Sequence, residues 1–394
     1  MKNLNRFSSI KSNSRSSVAT PTHRHIDSQG ESHSQSPLSN DGNTSADLSL
    51  NDTSLASLGW RPFFAQQLMG DSRNDLIIAK VMACHRSQLD LQTATGELSI
   101  PITDKMPEIT VGDWLTLNLE NSVQQRLTRL SLFSRKAPGS KVKTQLIAAN
   151  VDTVFIVSSL NKDFNLGRIE RYMALAKEAE VTPVFVLTKA DMCDDIHAYT
   201  QALLAISPLA MIETVNSLSK ESVASLHTYC GLGQTIAVMG SSGVGKSTLI
   251  NTLLGASAQS TSAIREDDSK GRHTTTGRSL HQMPAGGLLL DTPGMRELQL
   301  ADCEHGVSET FEEIIALANL CRFGDCQHLT EPGCKVQAAI SKGELDARRL
   351  TSYQKLLREQ ALNSATLAQK RAKDRNQSKF YRSVQDGARV LKGK

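Results

Sequence analysis

Gly240-Ser241-Ser242-Gly243-Val244-Gly245-Lys246-Ser247, followed by Thr248, is a complete GxxxxGKS/T loop. It stands between an apolar run, Thr235–Met239, and a stretch with helical spacing, Lys246–Leu254. Strand, glycine loop and helix in that order make a phosphate cradle. The glycines let successive backbone N–H groups turn inward, and the helix N-terminus adds partial positive charge. Lys246 is then placed to neutralise the β- and γ-phosphates of a nucleotide, and the Ser247 hydroxyl to ligate Mg²⁺. A chance Gly/Ser-rich loop would lack this flanking context.

Working outward, Asp291-Thr292-Pro293-Gly294 follows the apolar run 288–290, 45 residues after Lys246. An Asp at the end of such a strand reaches the Mg²⁺ side of a bound nucleotide, and Gly294 permits backbone approach to the γ-phosphate, so the stretch reads as a DxxG motif. Between the two lies Gly271-Arg272-His273-Thr274-Thr275-Thr276, a polar loop in the position of a switch. One of its Thr hydroxyls is expected on Mg²⁺; Thr275 is the candidate, with Thr274 and Thr276 as its alternatives. Upstream, Thr188-Lys189-Ala190-Asp191 closes another apolar run and resembles the base-reading NKxD motif. The Asp191 carboxylate can accept two hydrogen bonds from guanine N1–H and the 2-amino group, which adenine cannot supply. Thr188 stands where that pattern usually has Asn, which is expected to cost one amide contact. Ser217 is the counterpart of the short Ser-Ala motif that supports the base. The base-reading pair thus precedes the phosphate machinery, the reverse of the ordinary order. Such a circular permutation is tolerated where chain ends lie close together.

The surrounding pattern is that of a doubly wound α/β domain. Val151–Val157 and Val181–Leu187 are apolar runs of the kind buried in parallel sheets, and Ile169, Tyr172, Met173 and Ala176 between them have helical spacing. Further strands are expected at Met211–Val215, Thr235–Met239 and Gly287–Leu290, with helices near Asp195–Ala205 and Lys246–Leu254. Ahead of this domain, Leu76–Met82, Leu89–Leu91, Glu97–Ile102 and Trp114–Leu119 read as short strands of a small β-barrel of the OB-fold kind. Leu58–Met69 is expected to be a short amphipathic helix. Behind it comes a mostly helical region ending in Leu345–Leu362. The expected architecture is therefore multidomain: a Ser-rich tail over 1–55, an OB-fold-like barrel over 56–135, a circularly permuted α/β P-loop GTPase domain over 136–302, and a mostly α zinc-binding domain with a basic tail over 303–394.

A chain of 394 residues is too long for one ordinary domain. Residues 1 to about 55 are dominated by Ser, Asn, Asp, Thr and Gln, too few apolar side chains to offset ordering entropy, so disorder is expected there. No run of roughly 18 apolar residues is present, so no membrane span is expected, and the N-terminus lacks the apolar core of a secretory signal. Of seven cysteines, three fall within 321–334. With His328, the thiolates of Cys321, Cys326 and Cys334 suit one tetrahedral Zn²⁺ in a reducing compartment, and four protein ligands make that zinc structural. A cytoplasmic protein is expected. The net charge of +4 is uneven, because residues 370–394 hold nine Lys/Arg against two Asp, a surplus of +7 that points to a polyanionic partner. Nothing in the sequence calls for an oligomer, so a monomer is expected.

Together these features resemble the circularly permuted, small-ribosomal-subunit-dependent GTPases of bacteria, over roughly residues 58–382. The resemblance includes Gly112-Asp113-Trp114, Arg135-Lys136 through Gln145 to Ala148-Ala149-Asn150-Val151-Asp152, and Arg168-Ile169-Glu170-Arg171-Tyr172. It continues through the nucleotide motifs, the Cys/Cys/His/Cys cluster and Tyr353-Gln354-Lys355-Leu356. It implies GTP hydrolysis to GDP with Mg²⁺, stimulated by the small (30S) ribosomal subunit late in that subunit's maturation, with the flanking domains on rRNA. Two departures stand out: Cys84-His85-Arg86-Ser87 replaces the family's basic Arg/Gly-rich barrel loop, and the Ser-rich N-terminal tail is long. Met295 follows the DxxG stretch where many GTPases have a water-positioning Gln, so slow intrinsic turnover is expected. His273 is the candidate for placing that water, alongside Lys246 and Asp291. The alternative function is an RNA-binding assembly protein that uses nucleotide only as a conformational ligand.

Overall fold

The computed structural model describes residues 55–69, 76–136, 144–255, 278–291 and 303–364. The expected tails, the switch stretch Gly271–Thr276 with His273 and Thr275, and Thr292-Pro293-Gly294 lie outside these described residues. Among the described residues, no helix is long and apolar enough to cross a membrane.

Five strands, β1 (Ile77–Cys84), β2 (Gln88–Thr93), β3 (Gly96–Pro101), β4 (Trp114–Leu117) and β5 (Val123–Arg126), form an antiparallel sheet in the order β3-β2-β1-β4-β5. Alternate residues point inward to a core of Ala79, Val81, Leu89, Leu91, Ile100, Leu115 and Leu117. Helix α1 (Pro62–Gln66) lies outside it. This is shorter than the helix expected over 58–69, for two local reasons. Gly59 sits at φ 90°, facing Gly233, and Pro62 at the helix start has no N–H to continue a ladder backward. The intervening Trp60 instead packs edge-on to Trp114, with Phe64 beside both.

Strands β6 (Leu132–Lys136) and β7 (Thr144–Ala149) form an antiparallel pair that the sequence did not announce. The α/β region follows: β8 (Thr153–Ser159), α2 (Leu166–Glu178), β9 (Thr182–Thr188), α3 (Ile196–Ile206), β10 (Met211–Val215), α4 (Lys220–Val223), β11 (Thr235–Gly240), α5 (Lys246–Leu254), β12 (Arg278–Gln282) and β13 (Leu288–Asp291). Its strands run in the order β10-β9-β8-β11-β13-β12, parallel from β10 to β13, while β12 is antiparallel to β13. The sheet is therefore mixed, not wholly parallel. The short connection from β12 to β13 explains it, because only a crossover could make them parallel. β8 and β11 are buried along their whole length. Their residues alternate between two cores, as a pleated strand covered on both faces requires. Val154, Ile156, Ala237 and Met239 face α2 and the C-terminal helices; Phe155, Val157, Ile236 and Val238 face α5. Asn165 caps α2 by accepting from the Arg168 N–H at 2.9 Å, and Glu180 at φ 58° ends its last turn.

Helices α6 (Glu304–Thr310), α7 (Glu312–Ala318), α8 (Lys335–Ser341) and α9 (Ala347–Ser364) follow, and α6 and α9 pack on α2 within one apolar core. Gly306 comes so close to α2 that a Cβ there would stand 2.0 Å from the Ala174 carbonyl oxygen. Glu170 of α2, fully buried, pairs with Arg348 at 3.0 Å and Arg349 at 2.9 Å. Arg349 also donates to the Thr310 carbonyl, pairs with Glu313 and lies over the Phe311 ring.

The β1–β5 sheet meets the α/β region through pairing of β1 with β12 and through polar side chains at the joint. Gly112, at φ 87°, leaves no room for a side chain against Ala149. Asn150 donates to the Gly112 carbonyl and accepts from the Leu130 N–H, both at 2.9 Å. Asp113 is fully buried and pairs with Arg129 at 2.7 Å. Asp152 accepts from the Thr235 N–H and pairs with Arg61. Lys80 donates to the Leu58 carbonyl at 2.6 Å and the Thr235 hydroxyl at 3.3 Å, with the Trp114 ring beneath it. Complete burial pulls its pKa down to about 8, against the attraction of Asp152.

Because the folded chain releases this proton near pH 8 and the unfolded chain holds it until about 10.4, stability gains from Lys80 as pH rises through that window. The gain can reach ~1.4 kcal/mol per pH unit. Cys84, Cys230 and Cys303, each pushed up to about 12 by burial, act in the opposite sense above pH 9. The comparison that isolates Lys80 is therefore a pair of denaturation curves, wild type and Lys80→Met, at pH 7.5 and 9.0. The wild type should gain on the variant as pH rises; parallel pH dependences would refute the assignment.

Candidate nucleotide site

The phosphate loop leaves β11 at Gly240, whose φ of 152° and closeness to the Val157 carbonyl exclude a side chain. Gly243 and Gly245 both lie in the left-handed region, at φ 80° and 92°, and Gly245 caps α5. Val244 between them is buried in the core facing α5, which anchors the loop from below. Lys246 is nearly buried and its Nζ donates to the Ser241 carbonyl at the loop's entrance. Ser247 is exposed in the first turn of α5, beside the partly exposed Thr248. Ser241 is partly exposed and Ser242 exposed at the tip.

The base-reading stretch leaves β9. Lys189 adopts φ 61°, which turns the chain sharply into a single 3₁₀ turn over Ala190–Met192. Asp191 is exposed on that turn, with Ala190 partly covered. The two stretches are joined directly. Thr188, fully buried, donates its hydroxyl to the Val244 carbonyl at 2.6 Å, and Lys189 Nζ donates to the Gly243 carbonyl at 3.2 Å. Thr188 thus does more than stand in for a lost amide: its hydroxyl ties the base loop to the phosphate loop. Ser217 completes the cluster. Its hydroxyl is buried without a hydrogen-bond partner, about 3.7 Å from where a Cβ on Gly245 would lie, and its carbonyl accepts from Thr252 of α5 at 2.7 Å. Asp291 ends β13, the parallel neighbour of β11, so its carboxylate belongs to the same edge of the sheet as Lys246 and Ser247.

The cysteine cluster lies apart, on the segment between α7 and α8. The ligand atoms of Cys321, Cys326, His328 and Cys334 all lie within 4.8 Å of one another. Cys321 Sγ is 3.9 Å from Cys334 Sγ and 3.7 Å from His328 Nδ1, and Cys334 Sγ is 3.5 Å from that nitrogen. A tetrahedron with metal–sulfur distances of ~2.3 Å and metal–nitrogen distances of ~2.0 Å has edges of about this length. None of the four is in a disulfide. The set fits a closed zinc site, and His328 reaches it from a left-handed turn at φ 58°.

A sheet whose phosphate loop follows its base-reading loop defines a circularly permuted P-loop GTPase. The RsgA GTPase family model matches residues 126–301. The small ribosomal subunit biogenesis GTPase RsgA 2 of Vibrio parahaemolyticus is 59% identical over 335 residues, covering 85% of this chain and 94% of that protein. RsgA of Mesorhizobium japonicum is 47% identical over 317 residues, covering 79% and 91%. The chain belongs to the RsgA GTPase family, whose members are GTP hydrolases. In fold it is similar to the crystal structure of YjeQ from Thermotoga maritima (TM-score 0.53, 24% identity, 72% of this chain and 98% of that one). It is likewise similar to YloQ, a circularly permuted GTPase (TM-score 0.52, 23% identity, covering 73% and 96%).

The Thr188 bond can be tested alone. Thr188→Val keeps the shape but leaves the Val244 carbonyl without its donor, a loss of about 1–2 kcal/mol. GTP and GDP should bind roughly tenfold more weakly by isothermal titration, and Thr188→Asn should bind close to wild type. Unchanged affinity in the valine variant would show that the two loops hold together without it.

Proposed function

We propose that this protein hydrolyses GTP to GDP and phosphate while bound to the small ribosomal subunit, during late maturation of that subunit and with stimulation by it. The observation that carries the reading is the identity of 59% over nearly the full length of a relative named for small-subunit biogenesis, together with the nucleotide motifs that this chain retains. The reading assigns the cytoplasm, where ribosomal subunits are built, and a monomer. Residues 56–135 serve as an OB-fold-like barrel, 136–302 as the GTPase domain and 303–394 as a zinc-binding domain. The order β3-β2-β1-β4-β5 supports the barrel, since closing it needs only β3 and β5 to meet.

Asp191 selects guanine, with Thr188, Lys189 and Ala190 shaping its turn. Gly240 to Gly245 present backbone N–H groups to the phosphates, and Lys246 neutralises charge that builds on the β–γ bridge as the γ-phosphoryl leaves. Ser247, Asp291 and Thr275 would hold Mg²⁺, which supplies charge neutralisation between the β- and γ-phosphates. His273 is assigned to orient the attacking water, because Met295 has no hydrogen-bonding group to do so. Cys321, Cys326, His328 and Cys334 would hold one structural Zn²⁺, which fastens a segment with little apolar core of its own. For partners, the surplus of nine Lys/Arg over two Asp in residues 370–394 suits rRNA.

The deciding experiment is GTP turnover by the purified protein with and without small subunits. Turnover should rise at least tenfold on the subunit, fail with ATP, vanish in Lys246→Ala, and shift toward xanthosine triphosphate in Asp191→Asn. Weak, unstimulated turnover would leave the alternative, an assembly protein that uses nucleotide only as a ligand. Elemental analysis should find one zinc per chain, and Cys334→Ser should lose it along with thermal stability; a metal-free wild type with full stability would rule the zinc site out.

A further inference from the structure

Strand β12 begins at Arg278, directly after residues 256–277, which hold the Gly271–Thr276 motif. Its two edges belong to different parts of the molecule. On one side Ser279 stands opposite Asp291, the last residue of β13. On the other, Ser279 stands opposite Ala83 and Arg278 opposite Cys84, both in β1 of the barrel sheet. Ala83 in turn stands opposite Asp90 in β2, and Asp90 opposite Ser99 in β3. Asp291, Ser279, Ala83, Asp90 and Ser99 thus form one line across the sheet. It runs from the Mg²⁺-side carboxylate to the far strand of the barrel in four inter-strand steps, about 19 Å at ~4.8 Å each.

Where β12 meets β1 the crossing is narrow. It consists of those two β1–β12 residue pairs, beside a cavity of about 710 Å³ lined by Gln88, Asp90 and Gln92 from the barrel and by Ser279, His281 and Gln282 from β12. Arg278 fastens it. Its half-buried guanidinium donates to the Leu146 carbonyl of β7 and lies near Arg135 of β6 and Cys84 of β1. One side chain therefore sets β12 against both the barrel and the β6–β7 hairpin. At the outer end of the line, Asp90 is held by His85 at 2.7 Å, Gln88 at 2.7 Å and Ser99 at 2.8 Å. These bonds pass the position of the exposed turn 85–87 into β2.

We propose that the β1–β12 crossing, held in register by Arg278, transmits contact with the small ribosomal subunit from the barrel to the strand pair that ends at Asp291. Arg278 is a positioning residue for GTP hydrolysis, acting through β12. The inference rests on the proposed subunit-stimulated GTPase activity. Spatial adjacency alone does not establish coupling, so the test must measure coupling itself.

Arg278→Gln and Arg278→Lys are compared with wild type for turnover alone, turnover with saturating small subunits, subunit binding and thermal melting. Arg278→Gln should keep basal turnover, KM for GTP, subunit binding and melting temperature, while its stimulation falls at least fivefold through kcat on the subunit. Arg278→Lys should recover much of it. As a second arm independent of folding, Ala83→Cys with Ser279→Cys, in a Cys84→Ser background, locks the crossing by a disulfide. Oxidised protein should show a stimulation ratio near one, and the same protein reduced should regain it. Undiminished stimulation in both Arg278→Gln and the oxidised protein would overturn the inference and leave the GTPase assignment standing. A wild type that the subunit does not stimulate would instead overturn the assignment, and this inference with it.

Discussion

Everything at the nucleotide site depends on β8 lying between β9 and β11. The base loop leaves the C-terminal end of β9 and the phosphate loop the C-terminal end of β11. In a parallel sheet such loops open on one edge, where a ligand can lie across them. The register sets their level: Ser159 of β8 stands opposite Thr188, and Val157 opposite Gly240. Across that one intervening strand the Thr188 hydroxyl reaches the Val244 carbonyl. The order of the motifs along the chain therefore has no bearing on the finished site. Permutation moves the chain ends and leaves the sheet edge intact.

The two flanking regions are attached by shared apolar core and by polar groups buried within it. On the β1–β5 side these are Lys80 and Asn150, with the half-buried Asp152 beside them; on the C-terminal side, Glu170 and Arg349. Such groups add little net stability, since desolvation offsets most of their attraction, but a misdocked arrangement would leave a buried charge unpaired at a cost of several kcal/mol. They therefore act mainly on orientation. Several of the residues that carry the family resemblance are explained by this docking and not by chemistry. Gly112-Asp113 and Ala149-Asn150 are two sides of one contact, and Glu170 is the centre of the other.

The parts of the fold legible in the sequence are those governed by local rules. Strand patterns located β8, β9, β10, β11 and β13 to within two residues; β8, β9, β11 and β13 read as apolar runs because they are largely buried, while the edge strand β10 is only half-covered. The glycine pattern located the phosphate loop, since only residues free to take positive φ can build it. Pairing between distant segments was not legible. β12 carries polar residues on a short strand, and neither its length nor its composition marks it. Pro138-Gly139 between β6 and β7 is a turn signal, but the charged ends of the two strands obscure their pairing. The role of Thr188 was hidden for another reason: a comparison of motifs registers the missing Asn amide, while the hydroxyl's acceptor, Val244, lies 56 residues away. A buried Glu170 amid the helical spacing of Ile169, Tyr172 and Met173 was the one available hint of the C-terminal interface.

The two attachments differ in stiffness, and that difference bears on how a nucleotide signal can travel. The C-terminal helices approach α2 at backbone distance through Gly306, and Arg349 is bonded at once to α2, α6 and α7. Shear along that face would break several buried bonds together. The β1–β5 side has a similar lock around Asn150, while at β12 the described residues show two β1–β12 pairs beside a cavity. The two attachments therefore differ in how many buried bonds a small displacement would have to break.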